Sequence, residues 1–481
     1  MQVKASHFYC SVIYCLLFHV SLRTEAQKTE RLDSLFNAVC AESNFSGSVL
    51  VAEDGLPMYQ KTMGYANFAT KQPVTRQTMF ELASVSKQFT AMAIMQLEEK
   101  KKLSYTDSLE KFFPGFPYRG ITVQHLLTHT SGIPEFLGWG ESRIDTGRIN
   151  YNRDILESMI KHPLTLNFRP GEQMSYSNTN YVLLALIVEK ASGMPFGKYL
   201  QHYIFVPLGM DHTRVYAQRA DQPKIKDYAY GHIYDGAKGK FVINDLIQAN
   251  RFEYVFDGIS GPYGISSTTQ DLLKWDQALY SDKLINKAGQ EKAYQPFMLS
   301  NGAPAALMGT PYGFGWLLMP SSEFSGKSYM HSGGYPGYMN IIVRYAEKKK
   351  TIILLSNVYN VINIYQLASA IESILFDRPF DIPRSMPFKK SIVLSPEQLK
   401  LLEGTYSLVA APTVSFSITS YMGQVYAQLT GQPKVEIYPA SETDFFYTVV
   451  TARIKFYKDA AGAVNRLVLF QNGKEVEARR M

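Results

Sequence analysis

The sequence predicts an α/β protein of the α+β kind: an antiparallel sheet flanked by helices, a helical lobe between its strands in chain order, and a small all-β domain at the end. Three observations predict it. Strand-forming runs open and close the first domain, at 47–51, 58–63, 340–345 and 351–355, with helical and irregular sequence between them. Pro379, Pro383 and Pro387 fall within nine residues and oppose both helix and central strand, so 377–394 reads as a linker. Beyond it, Val414/Phe416/Ile418, Val425/Ala427/Leu429, Ile454/Phe456 and Leu467/Leu469 alternate with period two, as strands with one buried face do.

Taken in order, residues 1–26 carry Lys4, an apolar stretch over 8–22 and then Thr24-Glu25-Ala26, the pattern of a leader cut before Gln27. The mature chain, 481 less 26 or 455 residues, is therefore expected to be exported, periplasmic or secreted; an uncleaved leader is the alternative and would tie it to the cell envelope. Cys10 and Cys15 leave with the leader, and Cys40 alone can form no intramolecular disulfide. Leu32, Leu35, Phe36 and Val39 predict a helix over 28–41, followed by two strands joined at Glu53-Asp54-Gly55. A long helical pattern follows over 84–99 through Phe89, Met92, Ala93, Met95 and Leu97, and short helices and turns extend to about Trp275. A helix over 364–375 closes a domain of 27–376, and the β domain spans 395–481.

A chain of this length, 46% hydrophobic and 19% charged, buries one large core or more, which excludes disorder, collagen and coiled-coil rods. The net charge of +7 comes without a basic block of five, so nucleic acid is not an expected partner. A small-molecule or peptide substrate is.

Ser84-Val85-Ser86-Lys87 places a hydroxyl and an amine three positions apart at the start of a helix, within mutual reach. A serine alcohol needs an adjacent base, and a lysine serves when desolvation lowers its pKa. Ser108/Lys111 and Ser158/Lys161 share the spacing, but only Ser84 follows a strand-rich opening and heads a long apolar helix. Tyr176-Ser177-Asn178, before a helix over 181–191, offers a phenol to relay a proton and an amide to hold a carbonyl and the lysine. Tyr65-Ala66-Asn67 and Tyr338-Met339-Asn340 repeat that triplet. His331-Ser332-Gly333-Gly334 ends a candidate edge strand, where small residues allow close backbone approach and Gly334 can offer an N–H.

In this order the three elements resemble the penicillin-recognising serine hydrolases: class C β-lactamases, DD-peptidases and related esterases. The segments 126–134, 264–268 and 312–316 resemble the same group, and the likeness covers roughly 45–375. It implies a β-lactamase/transpeptidase-like fold and reaction through acyl-Ser84. Lys87 and Tyr176 would share acid and base duty, Asn178 would position substrate and lysine, and the N–H groups of Ser84 and Gly334 would form the oxyanion hole. His331 stands where the family has a carboxylate-binding lysine, with Ser332 and Gly333 completing the substrate-binding strand. The deacylating glutamate of class A enzymes has no counterpart, which leaves deacylation to Tyr176 and Lys87. β-Lactam, D-amino-acid peptide and ester substrates all remain open. So does a binding or sensor protein that keeps the pocket without turnover.

No cofactor motif occurs: there is no phosphate loop, dinucleotide fingerprint or Gly-x-Ser-x-Gly elbow. His125 and His129 have the spacing of helical metal ligands, but no glutamate lies between them and no third ligand is evident, so no metal is expected.

Overall fold

The apolar runs from the two ends of the first domain meet in one sheet. The computed structural model describes residues 25–481 except 42, 44, 218–219, 221–224, 237, 245–251, 360, 385–390, 422–423, 433, 449, 451 and 472. The expected leader lies outside the described residues up to 24, with Cys10 and Cys15; residues 25 and 26 begin helix α1 (25–41). Part of the expected linker, 385–390, is likewise outside them.

Six antiparallel strands, β1 (Gly47–Glu53), β2 (Leu56–Met63), β3 (Leu317–Ser322), β4 (Gly326–Tyr335), β5 (Tyr338–Tyr345) and β6 (Lys350–Ser356), are ordered β3-β4-β5-β6-β1-β2. The first strand pairs with the last, Leu50 opposite Ile353, so chain closure fixes the centre of the sheet. Every residue of β6 is buried, which requires cover on both faces. Leu50, Ala52, Ile342, Ile353 and Leu355 face a core shared with α2 (Lys87–Glu99), α3 (Asn178–Ser192) and α4 (Thr269–Ala278). The alternate positions Val49, Val51, Ile352 and Leu354 are equally buried, and α5 (Ile364–Leu375) packs on β5 and β6.

In the helical lobe, α2 is buried from Lys87 to Leu97 and α3 from Thr179 to Val188. Helices buried on all sides are core elements, and these two pack against each other. A three-stranded sheet of Phe80–Glu81, Ile265–Ser267 and Arg214–Val215 crosses the stretch read from sequence as helical or irregular.

The second compact unit comprises 232–243, 359–361 and 385–481. Its strands β7 (Gly404–Leu408), β8 (Ala411–Tyr421), β9 (Gln424–Leu429), β10 (Val435–Pro439), β11 (Asp444–Tyr447), β12 (Ala452–Lys458), β13 (Val464–Gln471) and β14 (Lys474–Arg480) close into a barrel. Tyr406 opposite Arg480 makes the closing seam, which removes the free edges an open sheet would expose. The inward set Phe416/Ile418, Val425/Ala427, Ile454/Phe456 and Leu467 fills the interior, as the alternation predicts. Val414 is half-buried and outside this core, and Leu429 and Leu469 are only partly buried against it. Helix α6 (Pro396–Leu402) and the hairpin His232–Asp235/Lys240–Ile243 belong to this unit, although neither carries a period-two signal in the β-domain sequence.

Candidate active site

Ser84 does not sit on the long helix. It lies in a 3-10 turn, Ala83–Ser86, that runs into α2. Ala83 takes φ 49°, a left-handed conformation costly for a side chain, and the turn is held from several sides. The Ala83 and Gly264 N–H groups donate to Glu81 Oε1 at 3.0 and 2.9 Å, and the Leu82 N–H donates to the Ile265 carbonyl at 2.8 Å. Ser84 is part-exposed between buried neighbours.

Lys87, the first residue of α2, is fully buried. Its Nζ donates to Asn178 Oδ1 at 2.7 Å and to the Pro262 carbonyl at 3.0 Å, and lies 3.1 Å from Ser84 Oγ. The first two partners can only accept. They therefore take both protons of a neutral amine and leave its lone pair facing the serine hydroxyl. Burial pulls the ammonium down to about 7, with the Glu135 carboxylate opposing.

Asn178 opens α3, and its orientation is fixed by Glu135. The Asn178 backbone N–H donates to Glu135 Oε2, and its Nδ2 lies 3.4 Å from Glu135 Oε1, so Oδ1 is turned to the lysine. The loop carrying Glu135 is tied to α3: Thr179 Oγ1 donates to the Pro134 carbonyl and accepts from the Phe136 N–H, both at 2.8 Å. Gly132 makes the loop's turn at φ 76°, where a Cβ would meet the Phe168 carbonyl oxygen at 2.0 Å. The segment 126–134 thus serves as the scaffold of Glu135.

Lys87 Nζ lies 4.7 Å from the centre of the Tyr176 ring. The Tyr176 hydroxyl is buried without a partner in full hydrogen-bond geometry; burial drives its pKa well up, and the nearby Ser84 side chain partly offsets this. The phenol ring also packs against His129, ring centres 4.4 Å apart. His129 accepts the Ser177 N–H at Nδ1, 3.2 Å, and is kept neutral by burial and by the charge of Lys87.

The third element, on β4, corrects one expectation. β4 is not an edge strand along its length: β3 pairs with it as far as Leu317 opposite Met330, and only from His331 onward is that side unpaired by β3. His331 supplies no positive charge. It is buried, its Nδ1 lies 2.7 Å from the Ser332 carbonyl and its Nε2 2.9 Å from the Tyr312 hydroxyl. A carbonyl can only accept, so the proton is on Nδ1 and Nε2 accepts from the phenol. Burial, then Lys87, pull its pKa to about 3.

Gly333 lets β4 approach the Ser84 turn: a Cβ there would meet the Leu82 carbonyl oxygen at 2.1 Å. Gly334 is exposed, opposite Met339. Ser332 Oγ pairs with the Tyr365 hydroxyl of α5 at 2.7 Å. Lys87, Asn178 and Tyr176 therefore gather around Ser84, and Gly333 brings the third motif against its turn. The competing pairs do not: Lys111 is on the surface with Asp107 at 2.7 Å, and Lys161 is exposed.

The helix proposed for His125 and His129 ends at Leu127, and His129 takes φ 57°, so the two rings do not share a helix face. Among the described residues no cluster of three His, Cys, Asp or Glu is arranged to hold a metal ion. Sequence reasoning missed Glu135, Pro262, Tyr312 and Tyr365. Glu135 and Tyr312 adjoin or fall within segments already singled out; Tyr365 and the Pro262 carbonyl leave no local signature.

Comparison with protein families matches residues 32–362, more than half of the chain, to the family described as Beta-lactamase. The chain belongs to the β-lactamase family. A relative from Bacillus subtilis (strain 168), penicillin-binding protein 4*, is 39% identical to this β-lactamase-family chain over 456 residues, 94% of this chain and 99% of its own. Among solved structures, a penicillin-binding protein from Bacillus halodurans is 26% identical, with a TM-score of 0.61 over 71% of this chain and 98% of its own. The octameric penicillin-binding protein homologue of Pyrococcus abyssi, also 26% identical, matches with a TM-score of 0.58 over 95% of this chain and 99% of its own. The first and third alignments cover too much of this family member to leave out its barrel.

Proposed function

We propose that this chain is a serine hydrolase that reacts through an acyl-enzyme on Ser84. The observation that carries the reading is a buried Lys87 whose ammonium is pulled down to about 7, so that the neutral amine is well populated at physiological pH, 3.1 Å from Ser84 Oγ. The amine takes the hydroxyl proton as Oγ attacks the acyl carbon. The N–H groups of Ser84 and Gly334 are the donors proposed for the developing oxyanion. Tyr176, kept protonated by burial, gives its proton to the leaving group and regains one from Lys87, so the serine proton ends on the product. Deacylation runs the relay in reverse: Tyr176 takes a proton from the water that attacks the acyl carbon while giving its own to the Lys87 amine, and Lys87 returns a proton to Ser84 Oγ as the acyl–oxygen bond breaks.

The substrates proposed are β-lactams, D-amino-acid peptides and esters. The neutral His331 favours amides and esters within that set, because a free carboxylate beside the scissile bond finds no charge on it. The test is intact-protein mass against time for residues 27–481 mixed with a penicillin or with a chromogenic ester, alongside Ser84→Ala. An adduct or turnover confined to wild type is expected; equal turnover in Ser84→Ala refutes the nucleophile. The leader pattern at 1–26 supports a place outside the cytoplasm, where N-terminal sequencing of the native protein is expected to begin at Gln27.

A further inference from the structure

Glu135 belongs to none of the motifs, yet it is the acid that reaches the reacting pair through one residue. It accepts from both the backbone N–H and the side-chain amide of Asn178, whose Oδ1 in turn receives Lys87 Nζ at 2.7 Å. An asparagine amide left to itself can turn either end to a lysine, and only the oxygen end attracts an ammonium or accepts from an amine. The carboxylate removes that freedom, because it accepts from Nδ2 and would repel Oδ1. Glu135 is itself held by the Leu137 N–H at 3.3 Å.

The charges around the lysine give Glu135 a second role. Lys87 faces the phenols Tyr176 and Tyr181, with ring centres 4.7 and 5.4 Å from Nζ, and the imidazoles His129 and His331. Burial keeps both phenols protonated and both imidazoles neutral. Against these phenols and imidazoles Glu135 is the carboxyl group whose charge favours the lysine's ammonium form. Burial raises its pKa, while hydrogen bonds from Asn178 and Leu137 and the charge of Lys87 favour the ionised form.

We propose that Glu135 is the positioning residue of the Ser84 centre: it locks Asn178 with its oxygen toward Lys87 and supplies the negative charge that stabilises the lysine's ammonium form. This rests on the acyl-Ser84 reading and assigns what sets its working pH. It is separate from a deacylating role, because both carboxylate oxygens are already engaged with N–H donors.

The test is the rate at which a fluorophosphonate probe modifies Ser84, followed by mass from pH 5 to 10, in wild type, Glu135→Gln, Glu135→Asp and Ser84→Ala. In Glu135→Gln the lost anion makes the ammonium less favourable, so the acid limb is expected to move to lower pH by about one unit. The plateau is expected to fall about tenfold, because a glutamine cannot accept from both Asn178 donors. Glu135→Asp keeps the charge but shortens the clamp, so its limb should stay within about 0.3 unit of wild type while its plateau falls. A folded Glu135→Gln protein, judged by its melting curve, whose limb stays at the wild-type pH or moves upward overturns the proposal. If Glu135→Gln does not fold, an unchanged plateau in Glu135→Asp overturns it instead. Modification of Ser84→Ala at the wild-type rate would instead overturn the nucleophile assignment.

Discussion

Gly333→Ala tests the claim that catalysis depends on how closely β4 approaches the Ser84 turn. The new Cβ would lie 2.1 Å from the Leu82 carbonyl oxygen and 3.2 Å from the Ala83 Cβ. The closest clash is with backbone, so no flexible side chain can yield, and strand and turn must separate by roughly 1 Å to reach ordinary contact. That separation falls between Gly334 and Ser84, the two N–H groups proposed for the oxyanion. A displacement of this size costs about 100-fold in acylation, comparable with the loss of one oxyanion donor. Overpacking costs a further ~1–3 kcal/mol of stability. Gly334→Ala is the stability control: its Cβ would meet only Met339 Sδ, at 3.7 Å, so its unfolding midpoint should match wild type. Single-turnover acylation by a chromogenic ester and urea unfolding read the two effects. Acylation of a folded Gly333→Ala protein within about threefold of wild type would refute the reasoning.

Lys87→Met should abolish acylation yet stabilise the protein near pH 7. The folded pKa of about 7 lies below the ordinary lysine value of 10.5, so between these limits the unfolded chain binds more protons and wild-type stability rises with pH. The Met variant lacks that slope; its advantage, on the order of 2–4 kcal/mol at pH 7, should close toward pH 10 in urea titrations, and a constant gap would contradict the shift. The His331 ring resonances should stay flat from pH 5 to 8, because its pKa is about 3; an NMR midpoint near the ordinary histidine value of 6.5 would refute a neutral third motif. Arg344→Met leaves the buried Asp276 without its 2.9 Å partner and should cost about 3–5 kcal/mol by urea unfolding, while a loss under about 1 kcal/mol would mean the pair is solvated.

Much of the site was legible because its chemistry is encoded in short spacings. Ser84 and Lys87 are three apart, and that spacing brings their side chains within 3.1 Å even though the serine lies in a 3-10 turn and not in the helix proper. The duplicate patterns at Ser108/Lys111 and Ser158/Lys161 could be set aside from their sequence surroundings, since neither heads a long apolar helix. The charge state of His331 was not legible. A histidine on a strand titrates near its ordinary value unless burial intervenes, and the Tyr312 hydroxyl and Ser332 carbonyl that occupy its ring are visible only after folding.

The sequence by itself determined the elements: the strands at 47–63 and 340–355, the helix Ile364–Leu375 and the period-two strands of the second unit, all set by local periodicity. It also determined which residue types could supply a nucleophile, a base and a relay. The tertiary structure alone decided how those residues are tuned. Pro262 is 175 positions from Lys87 and Asn178 is 91 away, yet both hold its amine. Glu135, 43 positions before Asn178, sets the direction of that amide. Desolvation and hydrogen bonding depend on what packs around a group in space, and no local pattern records that until the chain has closed on itself.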